Sequence, residues 1–158
     1  MTQKAEEGRW QRSFACSPGQ PVLLINEEPA KLHLYSVILR ELGCRVVSCG
    51  TFQDGVRLLD SSTFGLVIVS QGSGKFEGRR VLERAVEIDR HLPVLVVARH
   101  PEMRWYMEAM QLGAVDYLAE PVTTTELDRA VRTHLRTRIG FTSPVLDADE
   151  RQSDASLS

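Results

Sequence analysis

The run Leu66-Val67-Ile68-Val69-Ser70, entered through Phe64-Gly65, stops abruptly at the polar loop Gln71-Gly72-Ser73-Gly74-Lys75. An aliphatic-rich stretch with β-branching at Val67, Ile68 and Val69 and no polar alternation reads as a strand buried on both faces. Such a strand has no solvent side. It requires helices above and below its sheet, and neighbours that run parallel to it. Sheets of this kind place their chemistry where the carboxyl ends of the strands open into loops. What the chain does therefore turns on Ser70, which has no ionisable group, and on what surrounds it.

The rest of the chain supplies the matching pieces. Residues 21–26 (PVLLIN), 45–49 (RVVSC), 93–98 (PVLVVA) and 115–119 (VDYLA) read as four more strands. Between them lie helical stretches. One opens with Glu28 as its cap and Pro29 at its first position, carries Leu34, Ile38 and Leu42 on a stripe flanked by Leu32, Tyr35 and Leu39, and stops at Gly43. Thr51 with Asp54 forms a capping box ahead of Val56, Leu58 and Leu59. Residues 78–88 carry Val81, Leu82 and Val86, and residues 101–112 end at Gly113. Thr123 with Glu126 caps a last helix lined by Leu127, Val131 and Leu135. Strands alternating with helices imply right-handed crossovers and a doubly wound, five-stranded parallel α/β sheet covered on both faces. Residues 1–20 lack periodicity and read as a flexible arm whose aromatics are Trp10 and Phe14. Residues 140–158 read as a polar, Ser/Asp-rich tail. The folded domain is expected over 21–139.

Composition excludes several classes. The chain has 158 residues, 42% hydrophobic and 25% charged, which suits one soluble domain. A net charge of -2 gives no global reason for nucleic-acid or membrane binding. The apolar runs are strand-sized, so no transmembrane helix is expected, and the N-terminus has no apolar core of a secretory signal. Cys16, Cys44 and Cys49 lack metal-ligand spacing and read as core or free thiols of a reducing, cytoplasmic compartment. Gly72-Ser73-Gly74-Lys75 is no P-loop, because Val69 and Phe76 stand where Gly and Ser/Thr are required. Ser70 lacks the Gly-x-Ser-x-Gly setting of a hydrolase nucleophile. His33, His91, His100 and His134 fall in helices or at their ends, so none has a claim to be its base.

The end of the fifth strand, Gly113-Ala114-Val115-Asp116-Tyr117-Leu118-Ala119-Glu120-Pro121, is similar to the Gly-Ala-x-Asp-Tyr-Leu-x-Lys-Pro signature of response regulator receiver domains. Leu24-Ile25-Asn26-Glu27-Glu28-Pro29 resembles the acidic opening motif of that family, and Gly78 stands eight residues after Ser70, where the family has glycine after its phosphorylated Asp. The resemblance covers about residues 21–138. It implies a flavodoxin-like (CheY-like) fold with strand order 2-1-3-4-5, and a place in bacterial two-component phosphorelay signalling.

The resemblance also implies a site that this chain lacks. The family uses a nucleophilic Asp, a pair of acidic residues for magnesium, a Ser/Thr that contacts the phosphoryl oxygens and a neutralising Lys. Here those positions hold Ser70, Asn26 with Glu27, Ala98 and Glu120. Glu120 reverses the sign of the charge that should meet a phosphate. The expectation is a degenerate pseudo-receiver with no catalytic residues and no cofactor, Mg2+ included. Glu120 is expected to pair internally, with Arg99 and Lys75 as candidate cations. The alternative is a small-ligand or divalent-metal sensor using Glu27, Glu28 and the pocket around Ser70.

The resemblance places the output surface on the fourth helix, fifth strand and fifth helix. A protein partner is expected there, whether a kinase, another regulator or a second copy of the chain. On the fourth helix, Met103, Met107 and Met110 share a stripe expected to face the core. Trp105 lies about 200° around from Met103 and is expected to point outward, either as an interface anchor with Tyr106 or with its ring lying flat over its own helix. Tyr117 is expected to hold one fixed rotamer. Arg129, Arg132 and Arg136 form a basic stripe on the last helix, read as solvated or as pairing with a partner's acidic face. Nucleic acid is not expected there.

Overall fold

The computed structural model describes residues 20–142, with side chains described to Leu135. The expected N-terminal arm, with Trp10 and Phe14, and the polar tail beyond Thr142 lie outside the described residues, as does the side chain of Arg136.

Ten elements alternate along the chain: β1 (Val22–Ile25), α1 (Pro29–Glu41), β2 (Val46–Cys49), α2 (Phe52–Ser61), β3 (Leu66–Ser70), α3 (Arg79–Ile88), β4 (Val94–Ala98), α4 (Met103–Leu112), β5 (Asp116–Ala119) and α5 (Thr124–Thr142). The sheet is wholly parallel, in the order β2-β1-β3-β4-β5. The last helix runs past the expected domain boundary at 139. No helix among the described residues is long and apolar enough to cross a membrane.

Successive strand residues point to opposite faces, so each central strand feeds two cores. Val22 and Leu24, Leu66 and Ile68, and Leu95 and Val97 pack under α1 and α5 against Tyr35, Leu39, Leu127, Val131 and Leu135. Leu23 and Ile25, Val67 and Val69, and Val94 and Val96 pack under α2, α3 and α4 against Leu59, Val81, Leu82, Ala85 and Ala109.

Both capping boxes form. Thr51 Oγ1 accepts from Asp54 N at 3.0 Å. At the start of α5 the exchange is reciprocal: Glu126 N donates to Thr123 Oγ1 at 3.0 Å and Thr123 N to Glu126 Oε1 at 2.9 Å. Glu28 occupies the first cap position, but its side chain makes no capping bond. Asn26 Oδ1 accepts from Glu28 N at 2.9 Å instead and turns the chain into α1. Gly113 closes α4 in the left-handed region at φ 114°.

Three local readings are corrected. On α1 the buried face is Tyr35, Ser36 and Leu39, while Leu34 is 47% exposed. A leucine-rich helix offers two overlapping stripes, and the one containing Tyr35 wins because the phenol finds a partner inside the protein. On α4 the expected core stripe holds at Met110 but not at Met103 or Met107. Met103 and Met107 are exposed, at 70% and 50%, whereas Trp105 packs with Met110 and Leu112 on the core beside fully buried Ala109. The spacing 105-109-112 is as good as 103-107-110, and Ala109 lets the helix approach closely enough for the indole to reach Phe76 (centroids 6.2 Å apart). Cys49 is a free thiol, but Cys44, expected to be one, is disulfide-bonded. Local spacing says nothing about pairs closed by the fold.

The carboxyl end of β3 is backed by α3. Gly78 N donates to Gln71 O at 3.0 Å, and a Cβ on Gly78 would stand 2.1 Å from the Ser70 carbonyl oxygen. Only glycine lets α3 start this close to the strand. Gly78→Ala is expected to lower stability by about 1–3 kcal/mol, the usual cost of overpacking against backbone, read as a lower urea midpoint. An unchanged midpoint would show that the contact is soft.

Candidate functional site

The carboxyl ends of β1, β3, β4 and β5 bring Asn26, Glu27 and Glu28, Ser70 and Gln71, Ala98 and Arg99, and Glu120 to one mouth. The strand pairing fixes their places: Asn26 N donates to Cys49 O, Gln71 N to Val97 O and Glu120 N to Ala98 O. All the expected site positions are therefore brought together. The switch and interface residues Tyr106 and Tyr117 lie beside them at the α4–β5 edge, and Trp105 is half-buried against the core beneath.

Ser70 is buried, and its Oγ accepts from Gly72 N at 3.1 Å. Ser73 N donates to Glu77 Oε1 at 2.8 Å. Two amides of the glycine-rich loop are thus satisfied from within, so they are not turned outward to cradle an anion. Gly72, at φ 111°, makes this turn possible. Ala98 is fully buried and offers no hydroxyl to the mouth.

Glu120 has an internal cation, as expected, but neither Arg99 nor Lys75 supplies it. Its carboxylate turns toward α1, where Lys31 Nζ lies 2.8 Å from Oε1 and Tyr35 OH donates to Oε2 at 2.7 Å. The Glu120 side chain is only 8% exposed. Arg99 pairs instead with Glu28, which Lys31 also approaches at 3.8 Å. Lys75 is exposed in the β3–α3 loop. Lys31 and Tyr35 were missed because they lie 89 and 85 residues from Glu120 in the chain. The available signal was the series 31-35-39, in which a lysine heads the buried stripe of α1 and so calls for an internal acceptor.

A divalent cation needs several oxygen donors aimed at one point. Asn26 Oδ1, Ser70 Oγ, Glu28 and Glu120 all hold other partners. Glu27 Oε1 is buried without a hydrogen-bond partner. Among the described residues no three His, Cys, Asp or Glu side chains gather as a metal-holding set. The residues as arranged do not fit a magnesium ion.

At the edge of the sheet, Tyr117 OH donates to Gln71 Oε1, and the Tyr117 and Tyr106 rings meet edge to face at 5.6 Å and 82°. With Pro101, Glu102 and Met103 they line a mostly apolar hollow of about 450 Å³. Gln71 is another residue that the sequence did not flag. On α5, Arg132 is held within its own helix by Asp128 at 2.8 Å, and Arg129 lies exposed beside a second hollow with Glu126 and His134.

Burial, then the hydrogen bond to Glu120 and its charge, push the Tyr35 phenol well above its usual range. The folded state therefore favours neutral Tyr35, whereas in the unfolded chain it ionises near pH 10. The resulting stability is complete below about pH 10 and is lost as pH rises above it. The fall in unfolding free energy between about pH 9 and 11 should be steeper in wild type than in Tyr35→Phe. Equal slopes would remove Tyr35 from the network.

Lys31→Met leaves Glu120 without its cation and should cost about 1–3 kcal/mol in urea unfolding. Glu120→Lys places two ammonium groups together and should cost at least as much, loosening the loops. Lys31→Glu combined with Glu120→Lys should recover most of the loss. A double variant no better than its parents would mean that the pair contributes nothing specific.

The family model for the response regulator receiver domain matches residues 22–132. The two-component response regulator ARR11 of Arabidopsis thaliana is 30% identical over 111 residues, covering 69% of this chain and 21% of its own length. The sensor protein GacS of Pseudomonas syringae is 28% identical over 139 residues, covering 85% of this chain and 15% of its own. The chain thus spans about a fifth or less of these curated relatives. The receiver domain protein of Clostridium thermocellum superposes with a TM-score of 0.72 at 23% identity, covering 77% of this chain and 98% of that one.

Proposed function

Because the chain belongs to the response regulator receiver domain family, we propose that it is a two-component signalling module that works without phosphoryl transfer, a pseudo-receiver acting through protein contacts. The observation that carries this is at Ser70. Where the family places a nucleophilic carboxylate, this chain has a buried hydroxyl that already accepts from Gly72 N. A neutral hydroxyl forms no acyl phosphate and brings no charge to a metal. Glu120, at the position of the neutralising lysine, is turned away and held by Lys31 and Tyr35. The module catalyses no reaction of its own and holds no Mg2+.

The docking face in this reading is formed by α4, β5 and α5. Met103, Met107 and Tyr106 are exposed at 70%, 50% and 41%, next to the hollow that Tyr117 lines. Contiguous exposed apolar side chains of this size favour an interface, and the aromatic pair supplies rigid contact area. The partner is a kinase, another regulator or a second copy, the last giving a homodimer. Neither nucleic acid nor membrane is a partner. The cytoplasmic, bacterial setting rests on the family resemblance alone.

The second reading, a divalent-cation or small-ligand sensor, is favoured by one feature, the buried and unpartnered Glu27 Oε1. One titration separates the two. Backbone amide spectra and Trp fluorescence, recorded while adding magnesium and then beryllofluoride, should stay unchanged for a pseudo-receiver; Trp105, packed on Phe76 behind the β3–α3 loop, is a built-in reporter. Saturable shifts at Glu27 with magnesium alone would support the sensor. A further saturable response to beryllofluoride would overturn the phosphorylation-independent reading.

Met103→Glu and Met107→Lys should each weaken association, with itself or with a captured partner, by about tenfold or more. Association unchanged in both would place docking elsewhere.

A further inference from the structure

The bond from Tyr117 to Gln71 joins two parts of the fold that lie 46 residues apart in the chain. Gln71 is the first residue after β3 and is 4% exposed. Its backbone is fixed from both sides: its N–H donates to Val97 O at 2.8 Å, and its carbonyl accepts from Gly78 N at 3.0 Å. The side chain is therefore a rigid post at the mouth. Tyr117 is the second residue of an edge strand, paired only through Val96 of β4, and it is half-buried. Its ring touches Tyr106 and lines the hollow between α4 and β5. Its hydroxyl is part-buried, between the end of β3 and Glu102 at the start of α4. Burial pushes that phenol upward while the Glu102 backbone N–H pulls it down.

We infer that Gln71 is the positioning residue for Tyr117 and, through it, for the hollow between α4 and β5. A tyrosine on an edge strand can place its ring inward or outward by rotating one side-chain bond. An inward hydroxyl without an acceptor is penalised, so the acceptor decides the position. A displacement of the β3–α3 loop that moves Gln71 is thereby delivered to the α4–β5 surface. By reciprocity, whatever seats against Tyr117 steadies the loop. The use of this link in docking rests on the function proposed above, whereas the positioning rests on the hydrogen bond itself.

The test is the side-chain rotamer of residue 117, read by three-bond couplings and by the nuclear Overhauser contact between the rings of residues 117 and 106. Gln71→Leu removes the acceptor at similar volume, and Gln71→Glu keeps an acceptor oxygen. Tyr117→Phe removes the donor and leaves Gln71 in place, which keeps the test open should Gln71→Leu fail to fold. Wild type and Gln71→Glu should show one rotamer and the ring contact. Gln71→Leu and Tyr117→Phe should show averaged couplings and lose the contact. A single unchanged rotamer in those two variants overturns the inference. Self-association measured on Met103→Glu tests the docking face without touching this bond, so the two claims fail separately.

Discussion

Both backbone edges of β3 are taken, one by β1 and the other by β4, and both faces of its side chains are covered by helices. A strand enclosed in this way leaves the sheet polar openings only at its ends. The position of the mouth is thus a consequence of packing. Gly78 sharpens it by letting α3 begin against the Ser70 carbonyl. The site residues then have little freedom, because each is the next residue after a strand whose register is fixed by its neighbours.

Within that frame the electrostatics are uneven. Arg79 bridges Glu83 and Glu108, and Arg84 bridges Asp60 and Glu87, all at least partly exposed. Pairs of that kind contribute little and fade with salt. The Glu120 cluster is different in kind. A carboxylate that is nearly buried, with an ammonium on one oxygen and a phenol on the other, is costly to break even where forming it gains little. It ties the loop after β5 to α1, across the face where α1 and α5 meet the sheet. The Glu120 carboxylate is thereby committed to groups of the protein itself.

The fold was legible because its signals are local and redundant. Five apolar runs, two capping boxes, and Pro29 and Gly113 at helix ends all specify the same alternation. The mouth was legible as a set of positions, because the rule that gathers strand ends does not depend on side-chain detail. What could not be read were choices settled by distant groups. Lys31 for Glu120, Arg99 for Glu28 and Gln71 for Tyr117 are pairings across tens of residues, invisible to periodicity. The rotated buried faces of α1 and α4 have the same origin. Two faces of each helix were about equally apolar, and the decision fell to the hydroxyl of Tyr35 in one case and the smallness of Ala109 in the other.

The outward methionines of α4 give its surface a particular character. A thioether chain is unbranched, polarisable and free to change rotamer, so it moulds itself to the shape it meets instead of demanding one shape. Beside it, the Tyr106–Tyr117 pair is stiff. A surface that combines a rigid aromatic ledge with a compliant rim can admit counterparts of several outlines at similar strength, trading selectivity for breadth. The same sulfur atoms are open to oxidation, and a sulfoxide at Met103 or Met107 would turn the compliant rim polar without disturbing the core beneath it.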